Sequence, residues 1–175
     1  MLFKEYLGMG KKLVEDGIDK YLGELTYPEV IAEGMKYAVL NGGKRLRPIL
    51  LFMTLDILGC EREKGLATAS AIEMIHSYSL VHDDLPALDN DDYRRGKLTS
   101  HKVFGEAKAL LAGDTLLTYA FEVLASNKYV SNKSITLATI ALAKCAGAFG
   151  MAGGQMIDLN SEDNIKSLNE LKEMH

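Results

Sequence analysis

The chain has 175 residues, enough for one domain with a real hydrophobic core. Apolar residues make up 47% and charged residues 25%, the balance of a soluble globular protein rather than a disordered or fibrous one. A net charge of −4 leaves no broad basic footprint, so no nucleic-acid partner is expected.

Apolar residues recur at spacings of three and four rather than two, so an all-α fold is predicted. A first helix runs from about Phe3 to Leu22; its charges at Lys4, Glu5, Lys11 and Lys12 leave no signal-peptide apolar run. Thr26-Tyr27-Pro28 signals the next helix start, and Asn41-Gly42-Gly43 signals its left-handed stop. A third helix begins near Pro48 and reaches Gly59, and a fourth spans about Glu63 to Asp84. A long polar loop is predicted from Leu85 to Phe104. Two Ala- and Leu-rich helices follow, Glu106 to Ser126 and Ser131 to Gly147, the second continuing toward Leu159.

Ile135 to Gly154 is the most apolar stretch, but Lys144 and several glycines interrupt it. It reads as a buried core helix that falls short of a membrane span, so no stable membrane insertion is expected. Cys60 and Cys145 sit in no metal-binding or redox pattern and read as reduced, structural residues. Ser167-Leu168-Asn169-Glu170 is a capping-box pattern that opens a last, short helix. A helix that short is marginal unless packed, so the chain is expected to be part of a longer protein.

The segment Asp83-Asp84-Leu85-Pro86-Ala87-Leu88-Asp89-Asn90-Asp91-Asp92 holds five carboxylates in ten residues. Magnesium takes oxygen ligands and shares them with substrate phosphates, and a cation would offset the like-charge repulsion. On a straight helix Asp83 and Asp89 would be related by a rotation of about 240° and so point to different faces. Pro86 disfavours helix at Leu85, so a break or bulge after Asp84 is required to bring them together. Taken alone, the motif is as readily a solvated acidic turn. An EF-hand is excluded, because Arg94 stands where the loop needs Gly.

Two basic clusters shift that balance. Gly42-Gly43-Lys44-Arg45-Leu46-Arg47-Pro48 combines glycines that allow close anion approach with a helix start, and Lys44 and Arg47 can share a face. Arg94-Arg95-Gly96-Lys97 follows the acid cluster directly, and arginine's fork suits bidentate phosphate contacts. His76 lies seven residues before Asp83, two turns back on the same face. Apart, each reads as a solvated face or a satisfied core histidine. Together they suggest a site for a diphosphate with an apolar tail.

GGKRLRP, EMIHSYSLVHDDLPALDNDDYRRGKLTSHKVFGEAKALLAGDTLL and GGQMIDL closely resemble the polyprenyl synthetases, across essentially the whole chain. The resemblance implies the N-terminal portion of an isoprenoid-synthase helical bundle, with residues 1–175 as part of a single domain. It implies a Mg2+-dependent prenyltransferase that joins isopentenyl diphosphate to an allylic diphosphate in the cytoplasm, as a homodimer. Asp83 and Asp89 would hold the metal, with Asp84 supporting, and Arg94 would hold the allylic diphosphate. Gly43, Lys44, Arg47, His76 and Arg95 would take isopentenyl diphosphate, and Gln155 and Asp158 would line the cavity near the reacting carbons. Tyr78 and Ser79 would set chain length, the aromatic ring favouring a C15 product over C20. The family's second aspartate-rich motif and a Lys-Thr segment do not occur in these 175 residues, so the chain by itself is expected to be inactive. A terpene cyclase or head-to-head coupling enzyme would not need GGKRLRP. A non-catalytic subunit would tend to lose the acidic motif, which is intact here.

Overall fold

The computed structural model describes residues 2–161 and 168–174, the side chains of residues 170, 173 and 174 excepted. These residues fall into two compact units, Met1–Ser131 and Asn132–His175.

In the first unit, α1 (Phe3–Gly23), α2 (Glu29–Leu40), α3 (Leu46–Ile57), α4 (Leu66–Asp83) and α6 (Glu106–Ala125) build the core. The structure bears out the expected order of helices, with boundaries shifted by a few residues. α3 begins two residues before Pro48, and the Ile49 N–H closes its first turn on the Arg45 carbonyl at 3.1 Å. A short 3-10 turn, Arg62–Gly65, occupies the predicted start of the fourth helix, and α4 begins at Leu66.

α4 is the central helix, packed against α1, α2, α3 and α6. Its buried residues, among them Ala67, Ala71, Met74, Ile75, Ser77 and Val81, lie on several sides, as a helix enclosed by neighbours requires. Small residues set the approach of those neighbours. A Cβ at Gly34 would lie 3.0 Å from that of Ala112, bringing α2 close to α6. At Gly113 an added Cβ would overlap the His82 imidazole, whose Nε2 lies 3.0 Å from the Leu110 carbonyl. Outside the core, Arg62 joins α1 to α3: its guanidinium pairs with Asp56 at 2.6 Å and lies 4.5 Å above the Tyr6 ring, whose hydroxyl donates to Asp56 at 2.6 Å.

The segment expected as a loop from Leu85 to Phe104 carries structure of its own. β1 (Tyr93–Arg94) pairs antiparallel with β2 (Lys97–Leu98), and α5 (Ser100–Phe104) follows. Arg95 and Gly96 turn the hairpin, both at positive φ, as two-residue hairpin loops demand. The Tyr37 hydroxyl donates to the Leu98 carbonyl at 2.7 Å and so ties the hairpin to α2.

The second unit contains α7 (Asn132–Ala146), α8 (Met151–Leu159) and α9 (Leu168–Met174). The expected continuous helix is instead interrupted at residues 147–150, where Gly147 and Gly150 lie. The expected core burial is also corrected: on α7 only Ala146 is buried, and Leu137 and Ile140 are each 58% exposed. A unit this small cannot wrap an apolar helix on all sides. Residues 132–159 are, by length and composition, apolar enough to cross a membrane, contrary to the expectation that they fall short. Cys60 and Cys145 are free, as expected, but exposed, so neither packs in the core. The proposed cap Ser167 lies outside the described residues.

Candidate functional site

α4 carries an acidic group at its C-terminal end and a basic cavity about two turns earlier. The helix stops at Asp83, and Pro86 has no N–H with which to continue it. The chain folds back instead. The Asp89 N–H donates to the Asp83 carbonyl at 2.9 Å, and the Asn90 N–H donates to the Leu85 carbonyl at 3.1 Å. This is the bulge that Pro86 predicts, and it returns Asp89 to the side of Asp83.

Arg94 closes the acidic group. Its Nε and Nη2 lie 2.7 and 2.6 Å from Asp84 Oδ1, and Nη2 is 3.5 Å from Asp83 and 3.9 Å from Asp91. Asp84 is 3% exposed. Burial pushes the Asp83 carboxyl above its ordinary range; the charge of Asp89 adds to this, and Arg94 opposes it. Thr99 pins the turn from below, its hydroxyl donating to the Asp91 carbonyl at 2.8 Å and its N–H to the Asp92 carbonyl at 3.1 Å.

The magnesium that the resemblance implies can be tested against this donor set. Among the described residues, no three carboxylate, imidazole or thiol groups converge as a ready-made metal cage. Magnesium, however, is commonly held by one or two carboxylates, with waters and substrate phosphates completing the shell. Asp83, raised first by burial and then by the charge of Asp89, fits that shared arrangement, because a cation would offset both.

The basic cavity measures about 520 Å³ and is lined by Gly43, Lys44, Arg47, His76 and Arg95, together with Arg45 and Glu73. Five residues expected to take one diphosphate thus converge. Lys44 and Arg47 are exposed at the mouth. Arg95 reaches across from the hairpin, its Nη1 donating to the Gly42 carbonyl at 2.5 Å. Its guanidinium fills the space a Cβ at Gly43 would need, and Gly43 sits at φ +120°. Glycine is therefore required there on two counts. Burial and the charge of Arg47 push His76 below its ordinary value, with Glu73 opposing. Arg94 and Arg95, adjacent in sequence, thus serve opposite ends of the site.

Tyr78 lies between the two ends, half-buried and edge-on to His82, with ring centroids 5.6 Å apart. The Ser79 hydroxyl is turned back to the His76 carbonyl at 2.9 Å. Gln155 and Asp158 belong to the second unit, where both line a cavity bounded by α7 and α8.

Sequence reasoning passed over Arg45, Glu73 and Thr99. A lone acid at 73 on an otherwise apolar helix signals a buried partner, and Arg45, inside the basic run, is that partner: Nη1 lies 2.9 Å from Glu73 Oε1.

The class defined here is an all-α protein with a basic cavity and a carboxylate turn on one enclosed helix. Residues 28–175 match the family model described as polyprenyl synthetase. The chain is 47% identical over 174 residues to a farnesyl diphosphate synthase of Geobacillus stearothermophilus, covering 98% of this chain and 59% of that relative. It is 46% identical over 158 residues to a geranylgeranyl diphosphate synthase of Cyanophora paradoxa, covering 90% of this chain and 52% of the relative. The crystal structure of a geranyltransferase from Legionella pneumophila superimposes with a TM-score of 0.92 at 35% identity, over 98% of this chain and 62% of the other. The chain belongs to the polyprenyl synthetase family, and it spans between half and two thirds of the length of these relatives.

Proposed function

We propose that the whole protein is a magnesium-dependent prenyltransferase that condenses isopentenyl diphosphate with dimethylallyl or geranyl diphosphate to give farnesyl diphosphate. One observation carries this reading: Gly43, Lys44, Arg47, His76 and Arg95 line a single cavity about two helical turns from the Asp83–Asp84–Arg94 cluster. Two anion sites at that separation suit two diphosphates whose reacting carbons meet between them.

In this reading Arg94 holds the allylic diphosphate, and Lys44, Arg47, His76 and Arg95 hold isopentenyl diphosphate. Asp83 and Asp89 would hold magnesium, and the bound cation would supply positive charge against the leaving diphosphate. The allylic C–O bond breaks, the double bond of isopentenyl diphosphate attacks the resulting cation, and a proton leaves to the released diphosphate. The chain's own task is to fix both anions and keep water from the cation. Gln155 and Asp158 would line the cavity near the reacting carbons, with both units belonging to one helical domain. Tyr78 and Ser79, beside the path of the growing tail, would limit it to C15. A cytoplasmic homodimer is the form proposed.

A second reading, a C20 product, is favoured by the likeness to geranylgeranyl diphosphate synthases. The deciding experiment gives the full-length protein dimethylallyl and isopentenyl diphosphates with magnesium and reads product length. Farnesyl diphosphate supports the first reading, a C20 product the second, and no condensation overturns both.

A further inference from the structure

Arg45 is set inside the basic run, between Lys44 and Arg47, yet it does not point to solvent. It is 2% exposed, and all three of its nitrogens are used. Nη1 pairs with Glu73 of α4 at 2.9 Å, Nε with Glu15 of α1 at 3.0 Å, and Nη2 donates to the Val39 carbonyl of α2 at 2.7 Å. Three helices are thus tied to one residue, and that residue sits at φ 52°, ψ 33°, a left-handed conformation unfavourable for a non-glycine side chain. Lys44 and Arg47, on either side of this buried residue, are exposed.

Glu73 is 2% exposed, lies three residues before His76 and lines the same basic cavity. An unpaired carboxylate there would repel a diphosphate. Resting on the proposed function above, we propose that Arg45 is a positioning residue for isopentenyl diphosphate: it locks the Gly42–Arg47 loop to α4 and cancels the Glu73 charge, so that the cavity presents net positive charge. A lysine could not replace it, since one ammonium cannot span three partners in a planar fork.

The test is steady-state kinetics on the full-length protein, with KM measured for each substrate separately. Arg45→Lys is expected to raise KM for isopentenyl diphosphate about tenfold while the allylic KM stays within about twofold. Arg45→Met is expected to be worse, and Arg45→Met with Glu73→Gln to regain part of the loss, because the stranded charge is gone. Glu15→Gln keeps the buried pair and loosens only the partly exposed end, so it should fold and raise the same KM about threefold. A merely structural role would lower thermal stability and leave the ratio of the two KM values unchanged; that result, or an unchanged KM in Glu15→Gln and Arg45→Lys alike, overturns the inference. Lys44→Ala and Arg47→Ala report on the underlying reading. If they leave the isopentenyl KM untouched, the assignment of the cavity itself fails. If they raise it while the Arg45 and Glu15 variants do not, only the present inference fails.

Discussion

Arg94 aims two nitrogens at one oxygen of Asp84, at 2.6 and 2.7 Å, and so pairs a part-exposed guanidinium with a carboxylate that is almost wholly enclosed. Such a pair is asymmetric under mutation. Arg94→Met strands a buried charge and should cost about 2–3 kcal/mol of stability, at the low end for buried pairs because Arg94 keeps 30% of its side chain in solvent. Asp84→Asn removes the charge and leaves a hydrogen-bonding group, so it should cost about 1 kcal/mol. Urea denaturation of both variants checks the order; equal costs would contradict it.

Asp83 and Asp89 should matter for turnover far more than for folding. Their carboxylates repel one another, and burial already raises Asp83. Asp83→Asn or Asp89→Asn is therefore expected to be neutral or slightly stabilising by thermal melt. In the full-length protein, turnover at saturating substrate should fall by about 10² or more in these variants, and a chelator should abolish it in the unsubstituted enzyme. Undiminished turnover in both variants would rule out their metal-holding role.

His76 supplies a pH prediction. Burial and then Arg47 hold its pKa below the ordinary imidazole value of about 6.5, so the folded site keeps the neutral form near pH 7. On acidification the unfolded chain takes up this proton first. His76 therefore contributes stability above the unfolded value and loses it as pH falls through that value toward the folded one. A bound diphosphate adds negative charge and should move the folded pKa upward. NMR titration of the His76 ring, with and without inorganic pyrophosphate, checks the sign; no movement on binding would remove His76 from the anion site.

Tyr78 stands half-buried against His82 on the helix that leads away from the acidic end. Tyr78→Ala should open a path along α4 and shift products from C15 to C20 and longer, at a cost of about 2 kcal/mol in stability. Product chromatography decides the matter. A profile unchanged from the parent would show that the ring is no floor.

The Tyr6–Asp56–Arg62 cluster predicts an acid-sensitive fastening. The hydrogen bond from Arg62, and then that from Tyr6, hold the Asp56 carboxyl at about 2. Its stabilising contribution is complete above the ordinary aspartate value of about 4 and is lost as pH falls toward 2. Arg62→Ala should let Asp56 return toward that ordinary value, read by carboxyl-carbon NMR, and should flatten the decline in stability between pH 4 and 2.

Much of the first unit was legible in the chain's own letters. The spacing of apolar residues located its long helices, and Pro86 alone required the fold-back that the Asp89-to-Asp83 hydrogen bond completes. The hairpin at residues 93–98 was not legible, since two-residue strands have no periodicity to read and Arg95 adopts positive φ without being glycine. Arg45 was hidden for a different reason: in a run of basic residues, nothing local says which one turns inward, and only the distant Glu15 and Glu73 decide it. The exposed face of α7 ran against expectation because apolar composition shows that a helix wants cover, not where the cover comes from.

Gly113 makes no polar contact through a side chain and touches no proposed ligand, yet the His82 ring occupies the place its missing β-carbon would take. His82 immediately precedes Asp83. Even a single methyl at 113 would act as a wedge between α6 and the last turn of α4, and the displacement would be delivered straight to the neighbouring aspartates. The blank space at that crossing thus shapes the carboxylate turn as much as any charged group does, and natural variation at 113 should be as restricted as at the aspartates themselves.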